Sequence, residues 1–129
     1  MSDIVEAVRK VLLDAGAVSA VFSTRIYPMG KPLGATLPEA HYKRVSEVME
    51  FETDVKAVRL QITVIDDSYT DALTAAKVIR TALHKYSGVK LGVTIVQIAF
   101  MSQTDDLDQD ASGVVKMYWV NTDYQVVFR

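Results

Sequence analysis

The stretch "VKAVRLQITVIDDSYTDALTAAKVIRTALHKYSG", residues 55–88, contains the two most regular patterns of the sequence. In residues 55–65 apolar and polar side chains alternate, which is typical of a strand with one buried face. From Ser68 onward apolar side chains recur every three or four residues, as on one face of a helix. Ser68 is a suitable N-cap and Gly88 a suitable C-terminal stop. The stretch therefore predicts a strand that leads directly into a helix.

Residues 3–15 form the second predicted helix, because their apolar side chains recur at the same helical spacing. Alternating or β-branched residues predict strands at 37–46, 93–100, 113–122 and 124–128, with a brief extended piece at 25–27. Pro38 fits the start or the edge of its strand, since proline cannot donate to a ladder. Polar or Gly/Pro-rich loops are predicted at 28–36, 46–56 and 101–112. This order predicts an α+β fold in one domain, residues 1–129, with two helices packed on a mainly antiparallel sheet.

The composition excludes several classes of function. The chain has 129 residues, half of them apolar, a formal net charge of -2 and no cysteine. The absence of cysteine excludes disulfides, thiolate catalysis and zinc–thiolate sites. The sequence has no long Lys/Arg run that would track nucleic-acid phosphates. We expect no signal peptide at its start and no membrane span within it.

The run "QTDDLDQDAS", residues 103–112, is the most acidic part of the sequence. Its D-x-D-x-D spacing resembles the opening of a calcium loop, which also needs a glycine at its sixth position and a glutamate at its twelfth. Ala111 and Met117 occupy those two positions, so a metal site is not the favoured interpretation. A small metal- or ligand-binding module stays open as an alternative. The run contains four carboxylates: Asp105, Asp106, Asp108 and Asp110.

No group of residues has the pattern of an active site. His41 and His84 belong to no nucleophile motif, and "GKPLG" (residues 30–34) lacks the pattern of a phosphate-binding loop. Trp119 and Tyr118 alternate on a predicted strand, where an exposed aromatic side chain most often contacts another protein. The sequence therefore predicts a protein without cofactor or enzymatic activity, which acts through contact, with its loops as the candidate surfaces.

The order of these features, with Arg25-Ile26-Tyr27-Pro28, Leu37-Pro38 and the strand–helix run from Val58 to Leu83, resembles a known family. The chain is similar to the tail-completion, or tail-terminator, proteins of long-tailed bacteriophages and gene transfer agents. The resemblance extends over nearly the whole chain. It departs after Leu37-Pro38, where Glu39 and Ala40 stand in place of the family's aromatic and β-branched residues. This departure bears on the burial of the strand.

The resemblance implies a structural protein of the virion, assembled in the host cytoplasm and located at the head-proximal end of the tail. Its copies are expected to form a ring, usually six-fold, on the last ring of tail-tube subunits. There they stop tube polymerisation and join the tail to the head connector (stopper) protein, while DNA passes through without sequence-specific binding. Another head–tail connector or tube-like protein of the particle is the alternative.

We predict the interface residues from their position in or beside the three loops. The acidic run is expected to face a basic surface or the lumen of the ring, where it would repel passing DNA. The predicted interface residues are Arg25, Lys31, Arg44, Glu50, Asp105, Asp106, Asp108 and Asp110.

Overall fold

The computed structural model describes residues 3–31, 34, 36–49, 54–109, 111–113 and 115–129. In this part of the chain, three helices and six strands form an α+β fold. The helices are α1 (Ile4–Asp14), α2 (Gly16–Phe22) and α3 (Tyr69–Leu83). The strands are β1 (Ile26–Pro28), β2 (Glu39–Met49), β3 (Lys56–Asp66), β4 (Gly88–Lys90), β5 (Val93–Gln109) and β6 (Val115–Phe128).

The strands form one sheet in the order β1-β2-β3-β6-β5-β4. Strand β1 runs parallel to β2, and every other neighbouring pair is antiparallel. The central pair, β3 with β6, keeps an unbroken register from Lys56 opposite Phe128 to Asp66 opposite Tyr118. Register shifts occur only in the pairs on either side, β2–β3 and β5–β6.

One face of the sheet carries the helices. Helix α3 packs on β3, β5 and β6, and both α1 and α2 pack against α3. The alternation predicted for β3 is confirmed, because Val58, Leu60, Ile62 and Val64 are all buried, whereas Arg59 on the other face is exposed. No helix in the described part of the chain covers that second face, which we call the uncovered face.

The caps of the helices explain where they begin. Ser68 Oγ accepts a hydrogen bond from the Asp71 N–H at 3.4 Å, which confirms Ser68 as the N-cap of α3. Asp3 caps α1 in the same way through the Val5 N–H at 2.9 Å. The prediction that α3 stops at Gly88 is wrong, because the helix ends at Leu83 and Gly88 begins β4. None of the helices in the described residues is long and apolar enough to cross a membrane.

The predicted element boundaries need four corrections. A third helix, α2, adds to the two predicted helices, and Val18 and Phe22 on one side of it are buried in the core. The two predicted strands at 113–122 and 124–128 are the single strand β6. The expected loop at 101–112 is instead extended as far as Gln109, where β5 ends, and the expected loop at 46–56 is extended at its start, since β2 continues to Met49. Residues 50–53 lie outside the described residues.

Tyr124 provides a test of the core. It is fully buried on β6, and this burial raises the pKa of its hydroxyl to about 12. An unfolded tyrosine ionises near pH 10, so the unfolded state loses this proton first and the free energy of unfolding falls as pH rises between about 10 and 12. A difference of this size between the two pKa values corresponds to a loss of roughly 2–3 kcal/mol in the free energy of unfolding.

We expect the Tyr124→Phe variant to lose much of this alkaline decrease while keeping the packing of its ring. Urea unfolding between about pH 8 and 12 measures the effect. A Tyr27→Phe variant, made at a half-buried tyrosine on β1, serves as the matched control. An unchanged alkaline decrease in Tyr124→Phe would contradict the burial of this hydroxyl.

Candidate protein-interaction site

The acidic run lies on a strand, and its carboxylates point to different faces. Directly opposite residues on paired strands share a face. Asp105 is opposite Val120, which is buried beneath the helices, so Asp105 lies on the helix-covered face. Asp106 is opposite Trp119, and Asp108 is opposite Met117, so both lie on the uncovered face. Asp110 is outside the described residues.

Two of these aspartates already have partners within the chain. The Tyr69 hydroxyl donates a hydrogen bond to Asp105 Oδ2 at 2.5 Å, and this bond raises the pKa of Tyr69. The Tyr69 ring also packs against Tyr118, with 5.4 Å between the ring centroids. Asp106 Oδ1 accepts a hydrogen bond from the Leu107 N–H at 2.8 Å. Among the described residues, no three acidic or histidine side chains are arranged to hold a metal ion.

A second predicted region, around Arg25 and Lys31, is organised by the buried carboxylate of Glu39. His41 Nε2 lies 2.9 Å from Glu39 Oε2, and the Gly34 N–H donates to Oε1 at 2.7 Å. Lys31 Nζ lies 3.6 Å from Oε1 and 4.0 Å from the centre of the Tyr27 ring. These contacts attach part of the Pro/Gly-rich loop to the start of β2.

The environment of Glu39 has opposing effects on its pKa. Burial alone would raise the pKa, since the side chain is only 1% exposed. The hydrogen bonds from His41 and Gly34, with the charge of Lys31, outweigh burial and hold the pKa of Glu39 below its usual value. A Cβ at Gly34 would lie 2.7 Å from Glu39 Oε1, so a larger residue here would displace the carboxylate or the loop.

The Arg25 guanidinium is bound to backbone carbonyls. Its Nε donates to the Pro38 carbonyl and its Nη2 to the Val21 carbonyl, each at 3.0 Å. Arg25 therefore joins the end of α2 to the residue preceding β2. Its assignment to an interface stays a prediction.

Arg44 lies farther along β2, on the helix-covered face. It pairs with Asp3, the N-cap of α1, and its Nη1 lies 4.0 Å from Glu47 Oε1. The pairing with Asp3 raises the pKa of Arg44. Glu50 is outside the described residues. The described candidate residues thus occupy three separate regions, namely the β1–β2 end of the sheet, the middle of β2 and the distal half of β5.

The uncovered face is polar and internally hydrogen-bonded. Arg59 Nη2 donates to Asp123 Oδ2 at 3.0 Å, and Ser102 Oγ donates to the same oxygen at 3.3 Å. Thr63 Oγ1 donates to Asn121 Oδ1 at 2.7 Å. This polar region of the sheet continues to Asp106 and Asp108, and the same face also exposes the apolar side chains of Trp119, which is 38% exposed, and Val48.

A family model described as "Tail completion protein gp17" matches residues 6–129. The chain belongs to this family. It is a tail structural protein, as its resemblance at the sequence level predicts. Among curated proteins, none matches the chain by sequence.

The fold of this tail completion protein is also found in a solved structure titled "Virion of native gene transfer agent (GTA) particle". The TM-score is 0.75 at 16% sequence identity, and the alignment covers 95% of this chain and 92% of that chain. At this identity the similarity shows a shared fold. The departure noted at Glu39 and Ala40 does not expose the start of the strand, because both residues are buried, whereas Lys43 to Val48 are exposed.

Sequence reasoning missed two features of this tail completion protein. Glu39 has no sequence motif, and its role depends on Lys31, Gly34 and His41 folding around it. The extent of the open edges of β2 and β5 was also missed, since residues 47–49 and 101–109 were predicted as loops, although Pro38 indicated the start or the edge of a strand for β2. The sequence does contain one signal for the length of β2. Polar and apolar residues alternate, with interruptions, from Glu39 to Val48.

We expect Glu39→Gln to lower the free energy of unfolding by roughly 1–3 kcal/mol at neutral pH, because Lys31 loses its buried counter-charge. The folded-state pKa of Glu39 is lowered, so the ionised carboxylate stabilises the fold above the unfolded pKa of about 4.3. This contribution disappears as pH falls through the folded-state pKa. Denaturant unfolding between about pH 3 and 7 should therefore show a smaller acid decrease in Glu39→Gln than in the parent.

The matched control is Glu6→Gln, which removes the same charge from an exposed position on α1. We expect it to change the free energy of unfolding by less than about 0.5 kcal/mol. Equal effects of the two substitutions would contradict the role of Glu39 as an anchor of the loop.

Proposed function

We propose that this tail completion protein forms a ring, six copies in the family's usual symmetry, on the last ring of tail-tube subunits. There it stops polymerisation of the tube and joins the tail to the head-side connector protein. The observation that carries this proposal is the family match over residues 6–129. In this proposal the protein is part of the virion and lies at the head-proximal end of the tail.

The architecture supports assembly with other copies. A ring requires a heterologous interface, in which one patch meets a different patch on the next copy. The sheet offers two different strand edges, the outer parts of β2 and β5, on opposite sides of the molecule. Unpaired strand edges readily pair with another chain.

The two sheet faces suggest how the ring is oriented. The helices occupy one face, so a ring of these sheets has room for them on its outside. The uncovered face then points to the lumen and presents Asp106 and Asp108 there. Negative side chains in the lumen disfavour adhesion of DNA as it passes, since the charges repel its phosphates. Asp105, on the helix-covered face, has no part in this effect.

The proposed function is tested in particles that lack this protein. We expect tail tubes longer than normal and heads without tails, both visible by electron microscopy, and we expect the supplied protein to restore joined particles. Labelled protein should be found at the head-proximal end. Tubes of normal length joined to heads in its absence would overturn the proposal, and label along the whole tube would instead support a tube-like protein.

We expect Asp108→Asn to assemble joined tails but to slow DNA ejection, because the lumen loses negative charge on every copy. The control, Asp54→Asn, changes net charge equally at an exposed position. Asparagine also tolerates the positive φ of 55° at Asp54. Ejection is triggered in purified particles and measured as the release of DNA. If both variants release DNA as the parent does, the lumenal role is contradicted.

A further inference from the structure

Two strand segments have an edge without a partner among the described residues. On β2, the parallel pairing with β1 ends at Tyr42, so the outer edge is open from Lys43 to Met49. On β5, the pairing with β4 covers Val93–Ile95. The turn after α3 binds the Ile98 backbone, which leaves the edge open from Met101 to Gln109. Each open segment is long enough for several inter-strand hydrogen bonds.

The directions of these two edges fit each other. Successive antiparallel pairings, β2 with β3, β3 with β6 and β6 with β5, make β2 and β5 antiparallel within one sheet. Two copies placed side by side in the same orientation therefore bring β5 of one copy antiparallel to β2 of the next. The same operation repeats around a ring, which is a heterologous arrangement.

The parts of each edge that are already covered lie at opposite ends of the sheet. Through the registers, Ser46 on β2 is level with Gln125 of β6, whereas Thr104 on β5 is level with Asn121. Bringing Ser46 beside Thr104 of a neighbour thus shifts the sheet by four residues, about 13 Å at 3.3 Å per residue. Over four strand spacings of about 4.8 Å, this shift corresponds to a strand tilt of about 35°. Closed barrels have tilts of about 35–45°, so a closed ring accommodates the shift.

Charge selects this register. It places Lys43 opposite Asp106 on the uncovered face and Arg44 opposite Asp105 on the helix-covered face, with Val45 as the extra residue of the β-bulge. Lys43 is exposed and has no ion pair with any described residue. The next register that preserves the faces is two residues away and places Glu47 opposite Asp105, where like charges repel.

We propose that the outer edge of β5, Ser102–Asp106, pairs antiparallel with the outer edge of β2, Lys43–Val48, on the next copy of this chain. The inference rests on the proposed ring and identifies its interface. The pairing ends at Leu107, because β1 occupies the neighbour's edge at Tyr42. The Leu107 N–H is already satisfied by Asp106 Oδ1, which agrees with an edge that ends there.

Because the chain contains no cysteine, engineered disulfides can test this pairing without background. In the variant Ser46→Cys with Thr104→Cys, the two positions of one chain lie on opposite sides of β3 and β6 and are offset by four residues along the strands, which places them about 20 Å apart at ordinary strand geometry. A disulfide requires Cα atoms closer than about 7 Å, so a bond forms only between copies. We expect oxidation to give a covalent ladder that ends at the ring number.

Three controls define the result. A mixture of the two single-cysteine variants should give dimers and nothing larger. Ser46→Cys with Ala99→Cys, which lie level without the shift, should not crosslink. Lys43→Asp and Asp106→Lys should each weaken assembly about tenfold or more, and the variant that carries both should recover it, because the two charges are exchanged rather than removed.

The same samples are examined by native mass spectrometry, alone and after production together with the tube protein. Rings that form without the Ser46–Thr104 crosslink, or with no recovery in the charge-exchanged variant, would overturn the edge pairing and leave the proposed function intact. If no rings form from the protein alone or from the protein produced together with the tube protein, the edge pairing and the proposed function are both overturned. Crosslinking through Ala99 instead would replace this interface with an unshifted one.

Discussion

The unbroken pairing of β3 with β6 is the constraint on which the rest of the structure depends. Eleven consecutive residue pairs join these two central strands without a bulge. Their register places Val64 beside Val120 and Leu60 beside Tyr124 on one face, under α3. The strands on either side contain bulges and are covered only in part by short outer strands. A regular centre thus fixes the core, and the irregular outer strands are left to make contacts.

Much of this centre could be predicted from the sequence, because burial on one side of a strand or helix leaves a periodic pattern. The alternation in residues 55–65 and the cap at Ser68 predicted β3 and the start of α3 correctly. The distal half of β5 leaves no such pattern, since every residue from Met101 to Gln109 is exposed. Aspartates are also uncommon in strands. Pairing with β6 makes this segment extended despite its composition.

The candidate site shows the same limit in another form. Arg25, Lys31 and Arg44 were predicted from their nearness to loops, but their partners are decided by tertiary structure. Lys31 lies beside Glu39, whose neighbours in the sequence give no indication that a carboxylate would be buried. The cost of that burial is offset by contacts from Gly34, His41 and Lys31. No local rule predicts a charge whose compensation comes from other segments.

The acidic edge of β5 also explains how an open strand can be compatible with one mode of assembly. Two β5 edges that approached each other would bring aspartates together, and like charges on opposite strands destabilise a pair. Such pairing would give a closed two-fold dimer, because the same patch would be used on both copies. The edge of β2 carries Lys43 and Arg44 and does not repel β5. Charge therefore disfavours the dimer and favours the proposed pairing of unlike edges, which is able to repeat from copy to copy.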